Sequence, residues 1–386
     1  MTMAGVFLLG AARTPMGGFQ GTLAHLSATE LGAAAIKAAL DRSGTEAGDI
    51  DEVLMGNVLP AGLGQAPARQ AAVGAGLPFA TSCTTVSKVC GSGMKATMLA
   101  RDLLVAGSAD IVVAGGMESM TNSPYLLDRA RAGYRIGHGK VIDHMFLDGL
   151  EDAYDKGRSM GTFAEECAEA YQFSREAQDA FALESLARAS RAIADGDFVD
   201  EIVAVDGVTT DEQPGRAKPE KIPKLRPAFR EGGTVTAATS SSISDGAAAL
   251  VLAGAKAVEA RGLTPIAHLV AQASHAQKPN LFTTAPVSAI RKVLDKAGWS
   301  VGDVDLFEVN EAFAVVTMAA MRDLDIPHDR MNVNGGACAL GHPIGCSGAR
   351  IIVTLLAALR ARGLKRGVAA LCIGGGEATA VAVELV

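Results

Sequence analysis

LDRSGTEAGDID at residues 40–51 and LDKAGWSVGDVD at residues 294–305 share six identities in twelve at a constant offset of 254. A repeat of that period makes the chain two copies of one unit, and the fold follows from what one unit contains. The correspondence continues outward. VLMGN ends at Asn57 as FEVN ends at Asn310, and CGSGMKA from Cys90 matches GCSGARI from Gly345. Each of the last pair leads into an apolar helix, a glycine-containing turn and a strand, ADIVVAGG at 109–116 and GVAALCIGGG at 367–376. Opening strands are predicted at AGVFLLGAARTP, 4–15, and TPIAHLVAQASH, 264–275. Each half reads strand, helix, strand, turn, helix, strand, with short apolar strands of the kind buried on both faces of a mostly parallel sheet. The expected class is a layered α/β fold occurring twice.

The bulk numbers agree. The 386 residues are 49% hydrophobic but only 4% aromatic, with 44 glycines, so the core is closely packed Ala, Val, Leu and Gly. A net charge of −7 draws the chain to neither nucleic acid nor an anionic membrane, which leaves a small soluble ligand as the default partner. The N-terminal MTMAGVFLLGAARTP lacks a basic n-region and reaches Arg13 too soon for a signal peptide. The 19 uncharged residues at 331–349 are broken by glycines, a proline and asparagines and cannot span a bilayer. A soluble, cytoplasmic protein is expected. Six cysteines form no CxxC pair, against a disulfide framework or a zinc site, so reduced thiols and no metal are expected.

Between the halves the texture changes, giving expected units at 1–118 plus 241–263, an inserted domain at 119–240, and a second half at 264–386. Within the insertion, 163–194 has helical periodicity with Ser174 as N-cap. Its end, 216–230, holds Arg216, Lys218, Lys221, Lys224, Arg226 and Arg230 against the single Glu220, among three prolines. A phosphate-bearing ligand suits that charge, although on charge alone a solvated loop is the favoured reading.

Four groups at matched strand ends and turns carry candidate chemistry. Cys90 sits where an apolar stretch turns through Gly91 and Gly93 into a helix, whose N–H groups and dipole favour a thiolate and lower its pKa. A buried packing cysteine fits that context equally well. His342 lies in a glycine-rich loop before the helix that matches the one after Cys90, so two-fold pseudo-symmetry carries it toward Cys90 as a base. Cys372 ends a buried strand ahead of three glycines whose N–H groups form an anion nest, and Asn310 ends the strand of VDLFEVN, facing the ligand crevice. Cys338 and Cys346 lack such placement and read as packing residues.

VCGSGMKA, GGMESMTNSPYL, SMGTFAEECA, GTVTAATSSSISDGAAALV, VNEAFA, NGGACALGHPIGCSGARI and LCIGGGEATA, in this order along the full length, resemble the signature segments of the thiolases, the acetyl-CoA acetyltransferase and 3-ketoacyl-CoA thiolase family. The resemblance implies a five-layered αβαβα fold from two βαβαβαββ halves, a loop domain covering the coenzyme A site, and a homodimer or homotetramer. It implies Cys90 as the acylated nucleophile, Cys372 as the acid/base near the substrate α-carbon, and His342 as activator of Cys90 and holder of the thioester oxygen with a water on Asn310. The backbone N–H groups of Cys90 and Gly374 correspond to a second oxyanion hole. Met160 and Phe313 correspond to acyl-pocket walls, and Phe229 and Ser241 to groups along the pantetheine arm. The implied substrates are acetyl-CoA, CoA and 3-ketoacyl-CoA, with no cofactor beyond the CoA thioesters.

Ser87, Thr239 and Ser159 depart from residues common in that family, the last at the pocket, while Met160 favours short acyl chains. A 3-ketoacyl-CoA thiolase of broader chain length in fatty-acid metabolism is the near alternative. A decarboxylating ketoacyl synthase would carry histidine or asparagine where this chain has Cys372. A non-catalytic acyl-CoA binder would leave Cys90 unacylated. A cysteine protease would leave Cys372 without a role.

Overall fold

The computed structural model describes residues 5–386; residues 1–4, at the start of the first expected unit and including Ala4 of its opening strand, lie outside the described residues. The first half runs β1 (Val6–Arg13), β2 (Gly17–Gly18), α1 (Ala28–Ser43), β3 (Glu52–Gly56), α2 (Pro67–Gly74), β4 (Ser82–Val86), α3 (Ser92–Ala106) and β5 (Ile111–Ser119). An excursion follows with β6 (Tyr125–Leu126), β7 (Ile142–Asp143), α4 (Met160–Tyr171), α5 (Arg175–Asp195) and α6 (Glu212–Arg216). The chain returns through β8 (Ser244–Gly254) and α7 (Ala255–Arg261). The second half is β9 (Ala267–Ala276), α8 (Ala285–Ala297), β10 (Leu306–Val309), α9 (Ala314–Leu324), α10 (Ala337–Leu340), α11 (Ser347–Ala361), β11 (Arg366–Ile373) and β12 (Glu377–Leu385).

The two copies of the repeat fold alike because of the residues they share. Gly44 ends α1 at φ 65° and Gly298 ends α8 at φ 70°, in the left-handed region that a Cβ penalises. Asp51 Oδ2 accepts the N–H groups of Asp110 and Ile111 at 2.7 and 3.0 Å. Asp305 Oδ2 likewise accepts those of Lys365 and Arg366 at 2.9 and 2.8 Å. Each aspartate thus sets where the last buried parallel strand of its half begins.

The strands lie in the order β10-β11-β12-β9-β1-β8-β5-β3-β4, with β2 paired to β8. The expectation of a mostly parallel sheet is corrected. β3 pairs in parallel with β4 and β5, and β10 with β11, but β5–β8, β8–β1, β1–β9, β9–β12 and β12–β11 are antiparallel. An apolar run reports burial on both faces and not direction; here helix layers supply that burial while the final strand of each half doubles back. The partner of β4 in the second half is reduced to a single bridge, Phe307 to Met331.

Side-chain alternation distributes the strands between helix layers. Val112, Ala114, Leu250 and Leu252 face a core shared with α3, α11, Leu371 and Val383. Ile111, Val113, Ala249 and Val251 face α1 and α2, while Val368, Ala370 and Ala380 face α8. Helices α3 and α11 are therefore the middle of five layers. They touch in their first turns: a Cβ on Gly93 would lie 2.9 Å from Ala349 N, and one on Gly348 only 2.4 Å from Met94 N. Behind them, a Cβ on Gly116 of β5 would lie 2.1 Å from Gly345 O.

The excursion leaves and re-enters at the ends of the adjacent strands β5 and β8. The periodic stretch at 163–194 is two helices, broken where Gln172 takes φ 54° and Ser174 Oγ accepts Ala177 N–H at 3.2 Å. Arg13 of β1, fully buried, docks the excursion: its guanidinium pairs with Glu201 and, bidentately at 2.7 and 2.9 Å, with Asp211.

Gly348→Ala is expected to cost about 1–3 kcal/mol, the range for forcing a methyl into a full site. Gly48→Ala, where nothing lies within 4 Å, should change stability by no more than about 0.5 kcal/mol. Denaturant midpoints at one protein concentration compare the two.

Candidate active site

The crossing of α3 and α11 places the loops before them side by side. Cys90 stands on the turn from β4 into α3, where Val89 adopts φ 45°. Ser92 Oγ holds that turn, donating to Val89 O at 2.7 Å and accepting Lys88 N–H at 2.8 Å. Ser347 repeats the device in the second half, donating to Pro343 O at 3.0 Å. Because its proton is committed there, Ser347 Oγ accepts from His342 Nδ1 at 2.6 Å. His342 is thereby the Nδ1–H tautomer, with its Nε2 lone pair free to act as acceptor.

That lone pair meets Asn310 Nδ2 at 3.5 Å, a long contact. Asn310 directly follows β10, its N–H bound to Ala370 O at 3.0 Å, while its buried Oδ1 has no protein partner among the described residues. No hydrogen bond among the described residues joins His342 to the Cys90 sulfur, a separation common where catalytic contacts tighten only around substrate.

Cys372 is the penultimate residue of β11 and fully buried. Gly374–Gly376 follow, Gly375 and Gly376 at φ 87° and 85°. The N–H of Gly374 and that of Cys90 itself both act on the Cys90 sulfur, favouring its anionic form. Lys88, two residues before Cys90, forms an ion pair with Glu377, tying the Cys90 turn to the Gly374 turn. Around this floor, Met160, Phe229 and Phe313 join Cys372, Phe163 and Phe282 in one apolar cluster. A Cβ on Gly374 would lie 3.5 Å from Met160 Cε, and the rings of Phe229 and Phe313 meet edge to face at 5.8 Å. Ser241 is held by Ala312 O, accepting its N–H at 3.0 Å and its hydroxyl at 3.1 Å.

The expected low pKa of Cys90 is corrected. Burial pushes its thiol up to about 11, the N–H groups of Gly374 and Cys90 pulling the other way and the Glu118 charge adding to the rise. A helix N-terminus is worth ~0.3–1 kcal/mol, less than the ~1.4 kcal/mol of a single pK unit, so desolvation wins. Burial, and then the Arg350 charge, push His342 down to about 3. Burial raises Cys372 well above a normal thiol, and a Cys90 thiolate nearby raises it further. The resting site is neutral throughout: two thiols and an imidazole.

All six cysteines are free thiols. Cys346 packs in the shared core, while the thiol of Cys338 donates to Glu311 O at 3.7 Å. In the basic stretch, Arg216 pairs with Glu212 and Arg230 with Glu169, whereas Lys218, Lys221, Lys224 and Arg226 are exposed without an ion pair among the described residues. Sequence reasoning missed Ser347, although its match to Ser92 at the same helix start was a usable signal. It also missed the Lys88–Glu377 pair, for which no local pattern exists.

Comparison with known proteins gives the family and the fold. Residues 6–256 match the family described as thiolase, N-terminal domain, and residues 263–385 that described as thiolase, C-terminal domain. The chain belongs to the thiolase family. It is 51% identical to acetyl-CoA acetyltransferase 2 of Arabidopsis thaliana, over 98% of this chain and 97% of the relative. It is 48% identical to acetyl-CoA acetyltransferase of Escherichia coli (strain K12), over 99% of each. Among solved structures, the Acat5 thiolase of Ascaris suum in complex with coenzyme A superposes with a TM-score of 0.95 at 42% identity, covering 99% of this chain and 100% of that one. The acetyl-CoA acetyltransferase of Syntrophomonas wolfei gives the same TM-score of 0.95 and 42% identity, with 99% of each chain covered. The five layers described above are thus the thiolase fold. No helix among the described residues is long and apolar enough to cross a membrane.

Iodoacetamide reacts with the thiolate only, so alkylation of Cys90 in the free enzyme is expected to accelerate about tenfold per pH unit between about pH 7 and 10, without a plateau. A plateau near neutrality would mean a preformed thiolate–imidazolium pair.

Proposed function

We propose that this chain is an acetyl-CoA C-acetyltransferase, condensing two acetyl-CoA to acetoacetyl-CoA and, in reverse, cleaving short 3-ketoacyl-CoA with free CoA through an acyl-Cys90 intermediate. The observation that carries the reading is the convergence of Cys90 from the first half with Cys372, the Gly374 N–H, His342 and Asn310 from the second, beneath one apolar wall. The names of the full-length relatives point the same way.

Acetyl transfer begins with neutral groups. His342 Nε2 takes the Cys90 proton as Sγ attacks the thioester carbon, and returns it to the departing CoA sulfur, leaving acetyl-Cys90. A neutral imidazole is the form that can do this, and its depressed pKa keeps it so. In the acyl-enzyme Cys90 no longer ionises, so one of the influences that raises Cys372 is gone. Cys372 passes its own proton to the now neutral His342, and the thiolate so formed removes the α-proton of a second acetyl-CoA, while protonated His342 and a water on the buried Asn310 Oδ1 hold the enolate oxygen. The enolate attacks acetyl-Cys90, whose oxyanion is received by the N–H groups of Cys90 and Gly374. As Cys90 leaves, its sulfur takes the proton held by His342 while Cys372 keeps the α-proton, and two thiols and a neutral imidazole are restored.

These are proton transfers and N–H donations alone, and we assign no metal or redox cofactor. Met160 and Phe313 bound a small acyl site, Phe229 and Ser241 line the pantetheine arm, and the unpaired Lys218, Lys221, Lys224 and Arg226 are the candidates for the CoA phosphates. The unpaired edge of β4, with Ser82 and Thr84 exposed, supports pairing with a second copy in a homodimer or homotetramer. The setting we propose is cytoplasmic fatty-acid metabolism.

Labelled acetyl-CoA, supplied with a chelator present, tests the assignment. Wild type should take label on Cys90, Cys90→Ser should turn over at least about a thousandfold more slowly, and Cys372→Ala should acylate yet exchange no α-protons of acetyl-CoA. Retained exchange in Cys372→Ala would remove Cys372 as the base, and loss of activity to the chelator would overturn the metal-free reading.

Replacing Lys218, Lys221, Lys224 and Arg226 together by Gln should raise KM for CoA about tenfold or more and flatten its salt dependence while leaving kcat nearly unchanged. An unchanged KM in steady-state assays would place the phosphates elsewhere.

A further inference from the structure

Glu118 is a carboxylate with 0% exposure in the otherwise apolar strand β5, and the mechanism above gives it no task. Strand register shows what it corresponds to. Gly56 of β3 lies beside Gly116 of β5 as Val309 of β10 lies beside Ala370 of β11. One residue past Gly56 is Asn57 and one past Val309 is Asn310; two past Gly116 is Glu118 and two past Ala370 is Cys372. The repeat also pairs Cys90 with Gly345. The pseudo-dyad therefore maps the site of Asn310, Cys372 and Cys90 onto Asn57, Glu118 and Gly345.

In that second copy the carboxylate fills the space itself. Oε2 accepts the N–H groups of Gly345 at 2.9 Å and Val58 at 3.0 Å, and Oε1 those of Asn57 Nδ2 at 2.7 Å and Leu59 at 3.2 Å. Gly345 belongs to the turn that carries His342 into α11, whose N-terminal end favours an anion at this place. Within the turn, Cys346 N–H and Ser347 N–H both bind Pro343 O, at 2.9 and 3.0 Å, and Ser347 Oγ receives His342 Nδ1. A Cβ on Gly345 would lie 2.6 Å from Glu118 Oε2, so the contact has no slack.

We propose that Glu118 is a positioning residue for catalysis: by occupying the dyad-related copy of the active site it fixes the His342–Ser347 turn, and so His342, relative to Cys90. The inference rests on the reading of His342 as the base for Cys90. A Gln at 118 keeps a carbonyl oxygen for Gly345 and Val58, and turning over the Asn57 amide presents its otherwise unpartnered Oδ1 to the new NH2, so that only the long Leu59 N–H contact is given up. An Asp keeps the carboxyl group but withdraws its oxygens by one methylene.

The test is the single-turnover rate of Cys90 acetylation by labelled acetyl-CoA in wild type, Glu118→Gln and Glu118→Asp, with folding checked by thermal melts. Glu118→Gln should stay within about threefold of wild type, while Glu118→Asp falls about thirtyfold or more with KM within about threefold, as a misplaced general base requires. If Glu118→Asp does not fold, Gly345→Ala displaces the same contact from the other side and should show the same fall. Wild-type rates in folded Glu118→Asp or Gly345→Ala would overturn the proposal, as would equal losses in Gln and Asp. A wild-type enzyme that takes no label would instead overturn the acyl-transfer reading, and this inference with it.

Discussion

Two helices cross through bare backbone at Gly93 and Gly348, and the remaining architecture is arranged around that contact. The approach is closer than any Cβ allows, and Gly116 of the neighbouring strand extends the same exclusion to Gly345. It brings the positive ends of α3 and α11 together in a layer shielded from water on both sides. Two such ends side by side repel each other and attract anions. One of them meets the Glu118 carboxyl, whose pKa burial pushes up to about 7 while the N–H groups of Val58, Leu59 and Gly345 pull it down, and the other meets the Cys90 sulfur. The duplicated fold thus supplies two copies of one place, one filled by the Glu118 carboxyl and one holding Cys90.

Burial decides the acid–base character of the site. Removing water disfavours every charged form, so both thiols rise and the imidazole falls, and no ion pair forms among Cys90, His342 and Cys372 at rest. The imidazole owes its orientation to Ser347, whose proton is spent on Pro343 O, and its basic nitrogen to that orientation. The N–H groups of Gly374 and Cys90 favour negative charge on the Cys90 sulfur, but not by enough to offset its burial. Burial and the Cys90 charge both raise Cys372, so the ionisation of one thiol is tied to the state of the other.

The excursion between β5 and β8 packs apolar residues of α4 against Phe313 and Cys372 at this centre. Its anchor is the buried Arg13, held by Glu201 and Asp211, which couples the inserted helices to the first strand of the sheet. Breaking one member of such a triad strands the others in low dielectric, so the anchor is rigid. Met160 and Phe229 then present apolar surface to Phe313 and the Gly374 turn, while the unpaired basic side chains at 218–226 remain exposed.

Much of this was legible in the residues. The repeat at 40–51 and 294–305 determined that the chain is a duplicated α/β unit, because a left-handed glycine cap and an aspartate that ties down the next strand are local devices that need the same residues wherever they occur. The glycine-flanked Cys90, the His342 loop and the Cys372 strand end announced themselves through spacing, and pseudo-symmetry predicted that the two helix starts meet. Strand direction was not legible, since apolar side chains are alike in parallel and antiparallel pairs. Nor was the sign of the Cys90 pKa shift, because a helix end is written in the sequence but the water excluded by the opposing half is not. Ser347, Glu118 and the Lys88–Glu377 pair belong to the same class. What they do depends on neighbours far away in the chain, and only the tertiary structure, by choosing which groups lose water together, assigned them a task.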